Sequence, residues 1–265
     1  MPPVDTPAQV TTTALSFLPP RIVAHRGASV AAPENTFAAL RRAAGMGARW
    51  VEVDASLLGC GTAVLHHDAT LGRTSSGDRP LLALSAADLA GIDAGAWHSE
   101  AHAGEPIPTL AAALDLVAAL GLGLNLELKT HGADPGPLAR AAAAALNARP
   151  ALANKVLVSS FDHAALVEMQ RIAPAYPRAP IWHGPPADWA TTARQLDAVA
   201  LHAGADEITP DQIAEATALG LPTRVFTVND TEEAARLRRM GVAAFFTDVP
   251  EHFLADPNWV AWDAT

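Results

Sequence analysis

Two short segments near the start of the chain hold residue types suited to phosphate chemistry. His25-Arg26-Gly27 runs into Pro33-Glu34-Asn35-Thr36, and Glu52-Val53-Asp54 runs into His67-Asp68. They supply two imidazoles to move protons, a guanidinium whose planar fork matches two phosphate oxygens, and four acids able to hold a divalent cation. That mix suits hydrolysis of a phosphate ester. A further acid and a second cation follow in Asn125-Leu126-Glu127-Leu128-Lys129.

Spacing sorts these residues. Glu52 and Asp54 are two apart on one strand and share a face; Asn125, Glu127 and Lys129 do the same, with leucines on the other side. Three carboxylates without a thiolate make a hard oxygen site, suited to Mg2+, Ca2+ or Mn2+ rather than zinc. Acids set among valines and leucines are poor candidates for plain surface charges, because burying an unpaired carboxylate is costly. His25 and His67 could each be a metal ligand, a proton shuttle or a satisfied core residue. Their convergence on one rim, beside Arg26 and Asp68, favours acid–base chemistry. His66 competes with His67, and strand alternation puts the two on opposite faces, so only one enters the site. Arg26 is expected to grip phosphate and Lys129 to place a point charge near the metal. His98, His102, His131, His163 and His183 fall in loops or helices and are assigned no chemistry.

These residues need strand ends to hold them. Short apolar runs at 21–26, 50–56, 122–129, 156–161, 179–183, 198–202, 223–228 and 243–247 read as strands. Segments of helical spacing lie at 36–46, 110–120, 137–147, 163–172, 188–196, 210–219 and 231–240. The alternation means βαβ crossovers and a parallel sheet. Thr209-Pro210 can open one helix and Gly220 close it; Asp230 with Glu233 resembles a capping box, and Gly241 ends that helix. About eight strands favour a TIM (β/α)8 barrel, where catalytic groups come from C-terminal strand ends. Those ends also gather Phe161-Asp162, His202, Asn229 and Asp248. No G-x-G-x-x-G turn follows the first strand, so a dinucleotide site has little support.

Two stretches break the rhythm. After Asp54 the chain is expected to turn at Gly59-Cys60-Gly61 and return through Ala63-Val64-Leu65, bringing His67 back towards Glu52 and Asp54. Residues 75–108 have no clean period and read as a small insertion between the second and third barrel strands, over the mouth, forming one wall of the substrate pocket. The reading is therefore a flexible tail at 1–20, one barrel domain at 21–252 and a C-terminal tail at 253–265.

Composition narrows the partners. The chain has 265 residues, half of them hydrophobic, and a net charge of −10. An acidic field opposes binding to nucleic acid and to anionic membrane surfaces. The lone Cys60 rules out an internal disulfide and a thiolate zinc site. The first twenty residues lack a basic start and apolar run, so no secretory signal is expected; no segment is long and apolar enough to span a bilayer, and the expected location is cytoplasmic. The sequence assigns no oligomeric state.

The chain resembles the glycerophosphodiester phosphodiesterase family, in its compact bacterial cytosolic form, over nearly its whole length. The resemblance rests on Ala24-His25-Arg26-Gly27, Pro33-Glu34-Asn35-Thr36, Glu52-Val53-Asp54 and His67-Asp68 with Leu71-Gly72-Arg73-Thr74. It continues through Asp93-Ala94-Gly95-Ala96-Trp97, Gly104-Glu105-Pro106-Ile107-Pro108, Glu127-Leu128-Lys129, Ser159-Ser160-Phe161, Thr227-Val228-Asn229 and Thr247-Asp248. It implies a TIM barrel of the phospholipase C-like phosphodiesterase type and one divalent metal on Glu52, Asp54 and Glu127. It also implies phosphate contacts from Arg26 and Lys129, and His25 and His67 as acid and base. Glu34, Asn35, Phe161 and Phe226 are expected at the substrate. Counting back from Leu71-Gly72-Arg73-Thr74 selects His67 over His66. Phe226 stands where a Trp or Tyr is usual, and His66 where an apolar residue is usual. The expected reaction is hydrolysis of glycerophosphodiesters, such as glycerophosphocholine or glycerophosphoethanolamine, to sn-glycerol 3-phosphate and an alcohol. The alternatives are a lysophospholipase D acting on lysophospholipids and a non-catalytic binder of phosphorylated metabolites.

Overall fold

Short hydrophobic strands joined by amphipathic helices can bury both faces only by wrapping helices around a closed sheet. The computed structural model describes residues 20–264 and has that form. Of the expected N-terminal tail, all but Pro20 lies outside the described residues. The strands are β1 (Ile22–Ala24), β2 (Trp50–Leu57), β3 (Ala63–Leu65), β4 (Gly123–Leu128), β5 (Val156–Ser160), β6 (Arg178–Trp182), β7 (Leu201–Gly204), β8 (Thr223–Phe226) and β9 (Ala244–Thr247). The order β1-β9-β8-β7-β6-β5-β4-β2, closed by β1 on β2, makes an eight-stranded parallel barrel. The helices that cover it are α1 (Phe37–Gly45), α2 (Leu110–Ala119), α3 (Pro135–Asn147), α4 (His163–Ile172), α5 (Trp189–Gln195), α6 (Pro210–Ala218) and α7 (Thr231–Arg239).

β3 is the ninth strand and stands outside the barrel count. β1 is short and meets β2 only at Ala24↔Val51, which leaves the far end of that β2 edge unpaired. The Gly59-Cys60-Gly61 turn folds β3 back antiparallel onto it, with Ala55↔Leu65, Ser56↔Val64 and Leu57↔Ala63. The hairpin therefore fills an edge that would otherwise be open, and it returns the chain to the barrel mouth.

Element boundaries differ from the sequence expectations where a cap or a turn overrides periodicity. α3 begins at Pro135, not 137, because the Asp134 carboxylate accepts from the Gly136 N–H and proline is tolerated in the first turn. The strand expected at 198–202 runs Leu201–Gly204. Its start is delayed by Asp197, whose φ of 47 turns the chain after α5. Thr209 and Gln212 form a reciprocal capping box. Asp230 caps α7 alone, accepting from the Glu232 and Glu233 N–H groups, while Glu233 pairs with Arg236.

The segment expected as a C-terminal tail is packed structure. α8 (Pro250–Leu254) and α9 (Pro257–Asp263) follow β9, with Asp256 capping α9. Trp262 stacks on Phe245 of β9 at 5.7 Å and 18°, and Trp259 meets Phe245 and Phe253 edge-on. Asp263 accepts from the Ile22 N–H at 2.8 Å and pairs with Arg49 at 2.7 Å, tying the last helix to the first strand. Helices this short carry too few apolar positions to reveal a period.

The insertion shares a small core with the hairpin, in which Leu81, Leu84 and Ile107 are buried together with Leu58, Val64 and Leu71. Asp93 organises it by accepting from the Gly95, Ala96 and Gly104 N–H groups. A Cβ on Gly95 would lie 1.8 Å from the His102 carbonyl oxygen, so only glycine fits there. Glu105 accepts from the Ala38 N–H at 3.0 Å, and His98 Nε2 lies 3.1 Å from the Val30 carbonyl oxygen, which docks the insertion on α1 and its leading turn.

Candidate active site

The strands deliver their C-terminal ends to one mouth, where a cavity of about 470 Å3 opens. One half of its wall is charged, with His25 and Arg26 after β1, Glu52 on β2, and Glu127 and Lys129 from β4. The other half is aromatic and apolar, with Phe161 after β5, Ile181 and His183 from β6, and Phe226 and Phe246 from β8 and β9. A larger cavity of about 740 Å3 lies at the opposite end of the barrel, beside Arg49 and Lys155, and contains none of the candidate residues.

Glu52, Asp54 and Glu127 each offer a carboxylate oxygen within 4.8 Å of the others. All three are buried. The turn after β1 binds this cluster to the first strand. The Arg26 N–H donates to Glu52 Oε2 at 3.0 Å, and Asn35 Nδ2 donates to Asp54 Oδ2 at 2.8 Å while its Oδ1 accepts from the Asp54 N–H. Arg26 and Asn35 both take left-handed backbone, with φ of 56 and 58, and Gly27 between them has φ 81. A Cβ on Gly27 would meet Ala39 of α1 at 2.7 Å, so the turn can close only on glycine.

The residues fit a divalent cation. Burial raises the Glu52 carboxyl well above the ordinary carboxylate range, and the neighbouring Asp54 and Glu127 raise it further. Burial likewise pushes Glu127 up to about 7, with Asp54 adding to the shift. Burial opposes ionisation of Asp54 too, but Lys129 and Arg26 outweigh it and hold this acid below its usual range. Lys129 Nζ lies 3.3 Å from Asp54 Oδ1 and 2.5 Å from Glu127 Oε1. Glu52 Oε1 is buried with no hydrogen-bond partner. Three acids sharing one pocket with incomplete neutralisation form the donor set that an oxygen-seeking dication satisfies.

Each candidate histidine has a carboxylate behind it. His25 Nδ1 lies 2.7 Å from Asp248 Oδ1, and His25 Nε2 lies 3.8 Å from Glu52 Oε2. Asp248 is itself held by Ser29 Oγ at 2.9 Å and Asn229 Nδ2 at 2.8 Å. Burial raises the Asp248 carboxyl, but its bonds to His25, Asn229 and Ser29 prevail and bring it down to about 2. His67 Nδ1 lies 2.6 Å from Asp68 Oδ1. Arg73 then joins Asp68 to Glu34, and Glu34 accepts from Arg26 Nη1 at 2.8 Å. A chain of alternating charges thus runs from the histidine after the hairpin to the arginine after β1. Burial lowers the His67 pKa, so this imidazole is neutral at neutral pH and able to accept a proton.

The paired histidines both follow β3, outside any strand, and still diverge. His67 faces the cavity, whereas His66 is buried outside it, with Nε2 3.2 Å from the Thr70 carbonyl oxygen. His25, Arg26, Glu52, Glu127, Lys129, Phe161 and Phe226 line the cavity as expected, and Asp54 lies beneath it. Glu34 and Asn35, expected at the substrate, do not line the cavity; they hold Arg26 and Asp54 in place from behind. Nor does any lining residue come from 75–108, because the insertion packs against the β2–β3 hairpin and α1. The sequence reading gave no role to Asp248, Arg73, His183 or His202. His202 and Asp248 stood at strand ends, which was a usable signal. His183 follows β6 directly and joins Phe161 and Phe226 at ring separations of 4.8 and 6.0 Å.

The chemistry arranged around this mouth is phosphate-ester hydrolysis on a (β/α)8 barrel. The profile of the glycerophosphoryl diester phosphodiesterase family matches residues 25–252, and the chain belongs to that family. A glycerophosphodiester phosphodiesterase of Caldanaerobacter subterraneus subsp. tengcongensis is 31% identical over 232 residues, covering 87% of this chain and 94% of the relative. One from Bacillus subtilis is 28% identical, covering 94% and 90%. Among solved structures, an Oleispira antarctica phosphodiesterase in complex with the product sn-glycerol-3-phosphate superposes with a TM-score of 0.87. Its identity is 35%, and the match covers 91% of this chain and 98% of that one. Among the described residues no helix is long and apolar enough to cross a membrane.

Proposed function

We propose that the chain hydrolyses sn-glycero-3-phosphodiesters to sn-glycerol 3-phosphate and a free alcohol, with His25 and His67 as the proton-transfer pair. The observation that carries this reading is that both histidines, each backed by a carboxylate, face the same cavity as the Glu52–Asp54–Glu127 cluster. Those three acids would hold Mg2+ or Ca2+, with Mn2+ as a further candidate. Such a cation, when bound, supplies Lewis-acid polarisation of a phosphoryl oxygen.

The remaining work belongs to side chains. Arg26, held by Glu34, presents its guanidinium to the phosphate, and Lys129 adds a positive charge from the next strand; both stabilise the charge that builds on the equatorial oxygens. One imidazole removes the proton of the nucleophile, either water or the neighbouring glycerol hydroxyl whose cyclic phosphate a water then opens, while the other donates a proton to the departing alkoxide as its P–O bond breaks. Asp248 and Asp68 fix which ring nitrogen faces the substrate. Phe161 and Phe226 flank the alcohol portion. The reading places the enzyme in the cytoplasm.

The test is a metal-dependent assay for glycerol 3-phosphate over a panel of glycerophosphodiesters, with lysophosphatidylcholine as the comparator. Release of glycerol 3-phosphate from glycerophosphocholine or glycerophosphoethanolamine is expected. Exclusive turnover of the lysophospholipid would move the assignment to a lysophospholipase D, and ligand binding without any product would overturn hydrolysis.

A further inference from the structure

The floor of the cavity carries polar atoms that the proton-transfer pair, the phosphate cations and the carboxylate cluster leave unused. His202, on β7, is 1% exposed and lines the cavity, yet its Nε2 has no hydrogen-bond partner. Asn125, on β4, is also 1% exposed and lines the same cavity; its Nδ2 donates to Ser159 Oγ at 2.9 Å, and its Oδ1 has no partner. Buried polar atoms are almost always paired, so exceptions on a cavity floor call for an explanation from the ligand.

The pair suits one kind of group. Burial, reinforced by Arg224, keeps the His202 imidazole neutral, so it offers one N–H donor and one acceptor nitrogen. The Asn125 oxygen only accepts. A phosphate oxygen, which in its ionised form also only accepts, leaves Asn125 unsatisfied. A hydroxyl both donates and accepts, so it suits either residue.

Depth separates the two ends of a diester. Phe161, His183 and Thr227 are exposed at the rim, whereas His202, Asn125, Ile181 and Phe246 are buried at the floor. A hydroxylated end suits that polar floor, while a variable alcohol fits the open rim. We infer that His202 Nε2, with Asn125 Oδ1, binds a hydroxyl of the glycerol moiety and so selects glycerol-bearing phosphodiesters at the cavity floor. This rests on the phosphodiesterase reading above and names the specificity residue within it.

Calorimetry with Mg2+ present, using sn-glycerol 3-phosphate and inorganic phosphate as separate probes, tests the inference. His202→Leu should weaken glycerol 3-phosphate binding by about tenfold or more and leave phosphate within about twofold, because a site built to pair a hydroxyl loses most when that pair is broken. His202→Asn, which keeps a polar group, should recover part of the loss. Equal weakening of both probes, or no weakening of either, overturns the inference. The wild-type protein supplies a readout that no folding defect can confound. The His202 Nε2 nitrogen-15 resonance should move on adding glycerol 3-phosphate and stay in place on adding phosphate; a resonance unmoved by glycerol 3-phosphate overturns the inference. A moved resonance without turnover of any glycerophosphodiester would count against hydrolysis and still support this site.

Discussion

Asp248 Oδ1 lies 2.7 Å from His25 Nδ1, although the two residues are 223 positions apart and enter from opposite ends of the chain. The contact exists because β9 pairs with β1 in parallel, with Ala24 opposite Thr247, so the residues following each strand arrive side by side. Asp248→Ala should therefore lower kcat by roughly ten- to a thousandfold, part of the ~10²–10⁴-fold that a positioned acid or base supplies, with a smaller change in KM. Steady-state kinetics on glycerophosphocholine measure this, and an unchanged kcat would remove Asp248 from the mechanism.

The same carboxylate makes a pH-dependent contribution to stability. Its folded-state pKa is depressed from 3.8 to about 2, so its contribution is present above 3.8 and is lost as pH falls through about 2. The shift corresponds to about 2 kcal/mol at most, reduced by partial solvent exposure. Urea unfolding of the wild type and Asp248→Asn should differ at neutral pH and converge across that acid window.

Metal dependence has its own pH signature. In cation-free protein, Glu127 is raised from 4.5 to about 7, so the stability it provides is present below 4.5 and is lost as pH rises through about 7. A bound dication favours the ionised cluster, so the rise in Tm on adding Mg2+ or Ca2+ should grow with pH across the same range. Glu52→Ala and Asp54→Ala should abolish both the Tm increment and turnover. Full wild-type activity in the presence of a thorough chelator would sink the metal assignment.

The two adjacent histidines should separate function from folding. His67→Ala is expected to reduce kcat by about 10²–10⁴-fold with an unchanged Tm. His66→Ala, which removes a buried ring bonded to the Thr70 carbonyl oxygen, should cost about 1–3 kcal/mol in unfolding and leave kcat near wild type. The opposite pattern in parallel kinetics and thermal melts would reverse the assignment.

The last helix should be needed for stability, not for catalysis. Trp262→Ala removes a ring stacked on Phe245 and should cost about 3–5 kcal/mol. Asp263→Ala strands the Ile22 N–H and should cost about 1–3 kcal/mol. Chemical denaturation gives both values, and activity at low temperature should persist in each variant.

Much of the site was legible in local spacing. Alternation placed Glu52 with Asp54 and Glu127 with Lys129, because a period of two is a property of the extended chain itself. His66 and His67 also diverge, although both lie beyond the end of β3. Helix and strand types followed from apolar periodicity, and barrel closure from their alternation, with boundaries shifted where caps such as Asp134 intervened. Family resemblance through eleven ordered segments added the reaction class.

What the chain could not declare locally are contacts between residues that sheet closure brings together. Asp248 behind His25, and the Asp68–Arg73–Glu34–Arg26 sequence of charges, depend on registers between distant strands. The tertiary structure also set Glu34 and Asn35 behind Arg26 and Asp54, kept the insertion out of the cavity lining, and turned the expected tail into α9. It also brought into the cavity His183, which follows β6 directly, and His202, from within β7. The physical reason is the same throughout: residue type and spacing decide which face a side chain occupies, but only closure of β1 against β2 and β9 decides what stands opposite that face.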